Sequence, residues 1–481
     1  GYVENVGPGP DSQATDSTYG RASFRYTPTD DVEILARVGK YDLDVKGGGT
    51  FGYKRLGIMV ADYGDGTAGR SIGGSPVYVN VRTGTDGVPD VTFPSGASVD
   101  LGRTVVQSDP YKIDTDFPET TKSDATEFSL EVNVDFDSVM FKSITSYDGY
   151  YSEPIDDLDK TSTLTTGVTT DQSVNITQDV ETITQEFQLA SNDDGDVSWV
   201  TGVYFLEDEM YELFDVNLVN ANNLHAVTRN AWVDVNSKAV FGQVSWALSD
   251  TFTLTTGGRY TEDEKDFLQG DRCTAGPCDG PNGLKLTADI DGEKFDRFTW
   301  RVAGEWRLDE NTLAYGSVAT GFRSGGFTRK ADDPATTKNE AIVSEEENIS
   351  YEIGLKKELL DNRVRLNFSA YHTTIENQQV STVNVIPGTV TGQASLDNAG
   401  ETSSYGLELE LQAMLTEQWF LMGAFAYNNA EYDEYFTTGM SDIDGHASFD
   451  DALDGVIDGR VDLKGNKPPR APELTASLSA G

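Results

Sequence analysis

The chain has 481 residues and a formal net charge of −44, because 36 lysines and arginines stand against 80 aspartates and glutamates. So large an excess of negative charge excludes nucleic acid as a partner. Hydrophobic residues make up 37% of the chain, yet no run reaches the roughly 18 apolar residues of a transmembrane helix. The chain opens on GYVENVGPGP without a signal peptide or an initiator methionine, so we expect a processed or truncated segment.

Alternating apolar and polar residues recur along the chain in pairs of segments, each pair joined by a short polar turn. A period of two is typical of β-strands, and turns rich in Asp, Asn, Ser and Thr favour hairpins. The pattern predicts seven hairpins and a final strand, fifteen strands in all. The segments are 19–26 with 32–43, 127–136 with 139–151, 182–191 with 197–210, 238–248 with 252–263, 298–308 with 312–322, 349–360 with 364–376, 403–415 with 419–430, and lastly 472–481.

The connections between hairpins are much longer than the turns within them. One spans about 80 residues, from Asp42 to Ser123, and most others span roughly 20 to 45, where compact soluble domains rarely exceed about 12–15. This alternation puts every tight turn at one end of the sheet and every long loop at the other. Bacterial outer-membrane β-barrels have this asymmetry, with short periplasmic turns and long extracellular loops.

The two faces of the strands differ in chemistry. In segment 298–308, Trp300, Val302 and Trp306 share one face, while Arg301 and Arg307 share the other. A soluble β-sandwich would bury its apolar faces against each other and would not need such long strands. A tilted strand of roughly 9–11 residues crosses the hydrocarbon layer, and only a closed barrel satisfies every backbone group there. We therefore expect an all-β, transmembrane, antiparallel β-barrel whose apolar face contacts lipid.

Aromatic residues are expected to form girdles at the two membrane interfaces, near the strand ends. The residues assigned to these girdles are Trp246, Tyr260, Trp300, Trp419 and Tyr427.

The two cysteines enclose a Gly-Pro turn in DRCTAGPCDG. A zinc site would need a second pair of Cys or His ligands, and no such pair lies near Cys273 and Cys278. We expect a disulfide between them, formed in an oxidising compartment outside the cytoplasm.

Several segments resemble the barrel of TonB-dependent outer-membrane receptors. The resemblance is carried by QEF-L-S in ETITQEFQLASNDDGDVSWVTGVYFLEDE, by GF-SGGF in AYGSVATGFRSGGF and by NAG-----G-E-E in NAGETSSYGLELELQA. It implies a barrel of 22 strands when complete, filled by an N-terminal plug. Residues 1–481 would then form one partial outer-membrane barrel domain, with the plug, the first strands and the last strands outside the chain.

The resemblance also implies a function. A receptor of this family imports a scarce nutrient across the bacterial outer membrane, most commonly a ferric siderophore, with cobalamin, haem or an oligosaccharide as other substrates. The implied partners are TonB, through the missing N-terminal region, outer-membrane lipid and lipopolysaccharide, and a small-molecule ligand. A passive porin and a surface adhesin that uses the long acidic loops remain alternatives. We expect no enzyme activity and no cofactor, since no complete catalytic constellation is visible.

Three further motifs resemble functional sites, but the residues around each of them favour a loop. GDGTAG, residues 64–69, fits a dinucleotide-binding pattern, and the overlapping GRSIG around Ser71 fits a nucleophile elbow, but both patterns need a following helix, which RSIGGSPVYV does not favour. Asp442 and Asp444 precede Gly445 as in a calcium loop, but the spacing and the terminal Glu of an EF-hand are absent. We interpret this stretch as a solvated acidic loop, and we expect no metal site.

The segment TGFRSGGF contains the candidate substrate-binding residues Phe322, Arg323 and Phe327. Phe322 and Arg323 end a strand on the long-loop side, and the glycines that follow let the chain bend close to other groups. An arginine that faces the interior can hold a carboxylate or another anionic group. On the same face of other strands, Glu408, Glu410 and Arg365 are expected to line the wall against the plug.

Overall fold

The computed structural model describes most of the strands and several of the connections. The described residues are 4–5, 11, 14–46, 61–62, 67–72, 75–83, 89–92, 98–100, 112–113, 119–157, 171–192, 195–219, 224–272, 284–328, 341–385, 392–416, 418–438 and 460–481.

One antiparallel sheet of fifteen strands dominates the structure, and its strands are neighbours in chain order. The predicted number of strands is confirmed. The strands are β1 Ala14–Thr29, β2 Val32–Lys46, β3 Thr120–Asp135, β4 Val139–Asp157, β5 Asp171–Ser191, β6 Val197–Val219, β7 Leu224–Ser249, β8 Phe252–Arg272, β9 Leu284–Asp309, β10 Thr312–Arg323, β11 Glu346–Leu359, β12 Val364–Glu376, β13 Glu401–Met414, β14 Phe420–Glu434 and β15 Leu474–Ala480. β1 and β15 are the two edges of this sheet.

Short strands lie in the connections. Glu4–Asn5 pairs in parallel with Lys112–Ile113, and five strands between β2 and β3 form a separate small sheet. The five are Ala61–Asp62, Thr67–Ile72, Ser75–Thr83, Pro89–Thr92 and Ser98–Asp100. Three two-stranded pairs lie in later connections: Gly326–Phe327 with Ile342–Val343, Gln379–Val385 with Gly392–Asn398, and Phe436–Thr438 with Arg460–Asp462.

Tight turns close one end of the sheet, which we call the turn end, and the opposite end is the loop end. Between β9 and β10, the Asn311 N–H donates to Asp309 Oδ1 at 2.8 Å and the Thr312 hydroxyl donates to Asp309 Oδ2 at 2.9 Å. These bonds to the carboxylate lower the pKa of Asp309. The turn from β11 to β12 uses left-handed backbone at Leu360, Asp361 and Asn362.

The register gives the sheet one apolar and one polar face. Thr256 of β8 pairs with Val302 of β9, which in turn pairs with Val318 of β10. Paired residues such as these lie on the same face of the sheet. Exposed large apolar side chains mark the apolar face: Val38, Phe128, Phe187, Val203, Val240, Phe298, Trp300, Val302, Trp306, Tyr351, Ile353, Phe368, Leu407, Leu409, Phe425 and Leu478. This continuous apolar band is the predicted lipid-contacting surface.

Cross-strand polar contacts line the other face. Arg365 Nη2 forms an ion pair with Glu358 Oε1 at 2.8 Å. Asn367 Nδ2 donates to Glu410 Oε2 at 3.1 Å, and the Ser369 hydroxyl donates to Glu408 Oε2 at 3.3 Å. The charged groups expected to face a plug therefore also have partners within the wall itself.

Most of the strands extend beyond the segments predicted from the sequence. β7 and β9 each have 26 residues, and β6 has 23. The prediction was wrong because the alternation weakens where the strands leave the apolar layer, while backbone pairing continues. The connection between β6 and β7, for example, narrows to residues 220–223, since Leu218 still pairs with Leu224.

The same extension changes the position of the aromatic residues. Trp246 and Trp419 lie near the turn end, as predicted. Tyr260, Trp300 and Tyr427 lie well inside their strands rather than near the ends. Tyr260 and Trp300 are each about nine or ten residues from the turns, which is the thickness of the apolar layer in residues. They therefore mark its far boundary, and the strands continue beyond them.

The described parts of the early motifs are strands. Thr67–Ile72 pairs with Ser75–Thr83, so neither GDGTAG nor GRSIG is followed by a helix. Among the described residues, no helix is long and apolar enough to cross a membrane.

We predict that a charge on the apolar face blocks assembly of the protein. Ile353 is 65% exposed on that face, about midway along β11. Ile353→Arg should cost about 2–4 kcal/mol at the centre of the hydrocarbon layer. Ser317→Arg, on the polar face of the neighbouring strand and opposite Glu352, is the matched control. Heat-resistant migration of membrane-extracted protein measures assembly, and equal loss for both variants would contradict the assignment of the faces.

A row of glutamates crosses four strands at the loop end. Glu347 pairs with Glu376, Glu376 with Glu401, and Glu401 with Glu434. Like charges directly opposite each other destabilise a sheet. Among the described residues, the repulsion is offset at one end of the row, where Arg297 forms an ion pair with Glu347 at 2.8 Å.

We expect Glu376→Gln to stabilise the sheet by a few tenths of a kcal/mol, because it removes a charge from two like-charged pairs. Glu131→Gln is the control with the opposite sign, since Glu131 forms an ion pair with Lys142 at 3.0 Å. The thermal unfolding midpoint in detergent measures both. A lower midpoint for Glu376→Gln would show that its carboxylate is stabilising.

Candidate functional site

The connection between β10 and β11 packs onto the polar face at the loop end. Its described parts, residues 324–328 and 341–345, are called the packed loop segment. Gly326–Phe327 pairs with Ile342–Val343, and the Thr328 N–H donates to the Ala341 carbonyl at 2.8 Å. The segment thus doubles back on itself instead of extending away from the sheet.

Apolar side chains hold this segment against the strands. Phe327 stacks on Phe267 of β8, with ring centroids 5.0 Å apart and planes 9° from parallel. Ala231, Phe267, Ile290 and Ala341 form the buried centre of the cluster. The packed loop segment therefore covers apolar side chains that lie on the polar face at this point.

Lys265 fixes the bend of the segment. Its Nζ donates to the Gly325 carbonyl at 2.6 Å and lies 5.6 Å from the centroid of the Phe295 ring. Burial lowers the pKa of Lys265, and the nearby Arg323 charge lowers it further, whereas Asp263 and Asp208 act in the opposite direction. A Cβ at Gly325 would overlap the Phe295 ring and would lie 2.6 Å from the Val343 carbonyl oxygen, so only glycine fits this close approach.

Two amide side chains satisfy the backbone of the segment from the next connection along the chain. Gln379 Nε2 donates to the Ser324 carbonyl at 3.0 Å and to the Ser344 carbonyl at 3.1 Å. Asn398 Oδ1 accepts from the Ser344 N–H at 2.9 Å. Gln379 and Asn398 begin and end the hairpin of Gln379–Val385 with Gly392–Asn398, so two connections form one bonded unit.

Ion pairs join β9 to the packed loop segment and to the start of β11. Arg297 Nη2 contacts Glu345 Oε1 at 2.6 Å and Glu347 Oε1 at 2.8 Å. Both carboxylates belong to the segment or to the start of β11, so Arg297 ties the end of the segment to the wall.

The three predicted substrate-binding residues do not converge. Phe322 pairs with Glu347 on the apolar face, and its side chain is half-buried. Arg323 points to the opposite, polar face, because successive strand residues alternate. Its side chain is exposed and forms no ion pair with any residue that the structure describes. Phe327 packs on Phe267. Of the three, only Arg323 has an exposed side chain, and its contact with a ligand stays a prediction.

Sequence reasoning missed the residues that hold the segment: Lys265, Phe295, Gln379 and Asn398. They lie far from TGFRSGGF in the chain, and a single polar residue at a strand end carries no signal of a partner so distant. Cys273 and Cys278, and the acidic stretch around Asp442, Asp444 and Gly445, lie outside the described residues, so their pairing and their ligands stay predictions.

Within the described residues, no group of three or more His, Cys, Asp and Glu side chains is arranged to hold a metal ion. What the arrangement offers a ligand is a guanidinium at the loop end, next to a firmly held loop. Such a group binds carboxylate or other anionic oxygens with charge-assisted hydrogen bonds.

Two relatives are named as a metal-pseudopaline receptor and as a probable siderophore receptor. The metal-pseudopaline receptor CntO of Pseudomonas aeruginosa is 36% identical over 136 residues, which cover 28% of this chain and 17% of that receptor. The probable TonB-dependent siderophore receptor PiuA of Acinetobacter baumannii is 26% identical over 185 residues, which cover 38% of this chain and 22% of that protein. The matched regions thus cover about a fifth of these relatives.

Solved structures share the fold. The ferric yersiniabactin uptake receptor FyuA of Yersinia pestis superposes with a TM-score of 0.65 at 16% identity, over 100% of this chain and 58% of that one. The ferric-catecholate import receptor Fiu of E. coli K12, in its closed form, superposes with a TM-score of 0.55 at 14% identity, over 98% of this chain and 68% of that one. These likenesses show a shared fold. In a transmembrane β-barrel the apolar face is outermost and the polar face lines the interior.

The family model described as "TonB dependent receptor-like, beta-barrel" matches residues 50–481. This match confirms the resemblance found in the sequence, and it places the chain among outer-membrane receptors rather than enzymes. The chain belongs to the TonB-dependent receptors, of which it forms a β-barrel portion in the bacterial outer membrane.

Proposed function

We propose that this chain is part of an active transporter that imports a chelated metal, a ferric siderophore, across the outer membrane. Family membership over residues 50–481 carries the proposal. The names of its relatives support it, since CntO is a metal-pseudopaline receptor and PiuA a probable siderophore receptor. A siderophore supplies the metal ligands itself, so the protein needs only to recognise the surface of the chelate.

The loop end is the side from which we propose that the ligand approaches. There Arg323 offers a free guanidinium within the described structure, and the packed loop segment holds the chain on both sides of it. We assign the contact to Arg323 and a holding role to Phe327, whose ring is stacked on Phe267. Phe322, on the outer face of β10, is placed to contact lipid or lipopolysaccharide instead.

Energy would reach the barrel from the inner membrane through TonB, the partner after which the family is named. The apolar band would be surrounded by outer-membrane lipid, and the strand extensions at the loop end by lipopolysaccharide. These partners follow from the family and from the outward apolar face.

The first test is uptake of a labelled ferric siderophore by iron-starved cells that express the full-length gene. We expect accumulation that stops when the proton gradient of the inner membrane is dissipated. Cells without the gene are the control. Accumulation that is unaffected by the loss of the gradient would indicate a passive pore, and no gene-dependent accumulation would remove iron chelates as substrates.

Arg323→Ala should weaken ligand binding to whole cells about tenfold or more, because it removes a charge-assisted hydrogen bond. Phe322→Ala is the matched control, since it truncates the neighbouring side chain on the opposite face. Equilibrium binding of the labelled chelate at low temperature measures the affinity. Equal affinities for Arg323→Ala and the unmodified protein would exclude Arg323 from the site.

A further inference from the structure

Basic side chains form a column on the interior face of β9. Arg297, Arg301 and Arg307 share that face, and Arg297 and Arg307 are about 34 Å apart along the strand at the usual rise per residue. The hydrocarbon layer is about 30 Å thick, so the column spans much of its depth even when the strand is tilted. Glu305 is the one acidic residue of the same face between Arg297 and Arg307.

Neighbouring strands widen this column into a basic track. Arg259 of β8 pairs in register with Thr299, and its guanidinium lies 5.2 Å from the centroid of the Tyr204 ring. Arg323 of β10 lies four residues beyond Ala319, where the pairing of β10 with β9 ends opposite Arg301. The basic track is therefore Arg323, Arg297, Arg259, Arg301 and Arg307, from the loop end to the turn end.

The turn end of the track opens into a cleft of about 360 Å³. Its charged lining consists of four basic residues, Arg307, Lys356, Lys357 and Arg365, and three acidic ones, Asp309, Glu310 and Glu358. Arg365 is paired with Glu358, and Lys356 lies 5.4 Å from the centroid of the Tyr315 ring. Positive groups are thus present at both ends of the path along the wall.

The charge of this track contrasts with the rest of the chain. Acidic residues outnumber basic ones by 80 to 36, and the charged side chains on the interior faces of β3 to β6 are mainly acidic, among them Glu127, Glu131, Asp148, Glu186 and Asp208. Arg297 is paired with Glu345 and Glu347, but Arg301, Arg307 and Arg323 form no ion pair with any residue in the described ranges. Each of these three is exposed toward the interior, where an anion can reach it.

We propose that this basic track guides an anionic cargo along the interior wall of β8, β9 and β10, from Arg323 to the cleft at Arg307. The proposal rests on the proposed import function and narrows its substrate class to chelates with a net negative charge. A small anion fits the observations better than the acidic face of a domain inside the barrel, because the guanidinium groups follow one line across the layer. A protein surface would be matched by a compact patch.

The local charge can be measured without knowing the cargo. In the full-length protein in outer membranes, Ala319→Cys places a thiol opposite Arg301, and Thr184→Cys places one beside Glu186 on the acidic wall. The probes are an anionic and a cationic methanethiosulfonate of similar size, and the unsubstituted chain is the background. Relative to Thr184→Cys, Ala319→Cys should favour the anionic reagent by about tenfold or more. Equal preferences, or no labelling at Ala319→Cys, would overturn the track.

Transport is the second readout. Arg301→Glu and Arg307→Glu should each lower the uptake rate of a labelled ferric tris-catecholate, an anionic chelate, at least fivefold, while surface binding is retained because Arg323 is intact. Lys238→Glu makes the same charge change and is the control, since Lys238 pairs with Phe205 on the outer face. Unchanged uptake, or a lower unfolding midpoint as the main effect, would assign the arginines to pairing with protein carboxylates and overturn the proposal.

The two readouts separate this inference from the proposed function. If the unmodified protein imports no ferric chelate, the proposed function fails, while the thiol reactions still decide whether the interior wall attracts anions. If import is energy-dependent but both glutamate variants import normally, the function stands and the basic track is wrong.

Discussion

Backbone hydrogen bonding between neighbouring strands is the constraint on which this structure depends. In the hydrocarbon layer no water satisfies an open N–H or carbonyl group, so each strand needs a partner on both sides wherever lipid surrounds it. Strands β2 to β14 meet this requirement by pairing with the strands before and after them in the chain, whereas β1 and β15 are paired on one side among the described residues. That register also fixes every side chain to one face, because a slip by one residue would move the arginines of β9 into lipid.

The packed loop segment meets the same requirement without a regular ladder. Its carbonyl groups at Ser324, Gly325 and Ser344 accept hydrogen bonds from the side chains of Gln379 and Lys265. Buried irregular backbone is tolerated where side chains replace the missing strand partner. The side chains of Lys265 and Gln379 thus replace the backbone donors of a neighbouring strand, and they hold the packed loop segment against the wall.

Much of the architecture could be predicted from the sequence, because period-two alternation and short polar turns are local signals. All seven hairpins and the final strand were found, and the opposed faces of Trp300 and Arg301 were assigned correctly. The extensions of β6 and β7 were missed because, beyond the apolar layer, nothing forces one face to be apolar. The site was predicted less well: Arg323 could be read from TGFRSGGF, but the contact of Lys265 with Gly325 joins residues far apart in the chain and leaves no periodic signal.

The long hairpin of β6 and β7 has a mechanical consequence. β6 has 23 residues, of which only about 9–11 are needed to cross the apolar layer. The remainder stays paired with β5 on one side and with β7 on the other, so it extends the sheet rather than forming a slack loop. Bending this extension would break backbone hydrogen bonds on both sides of β6, so it resists deformation far more than an unpaired loop of the same length.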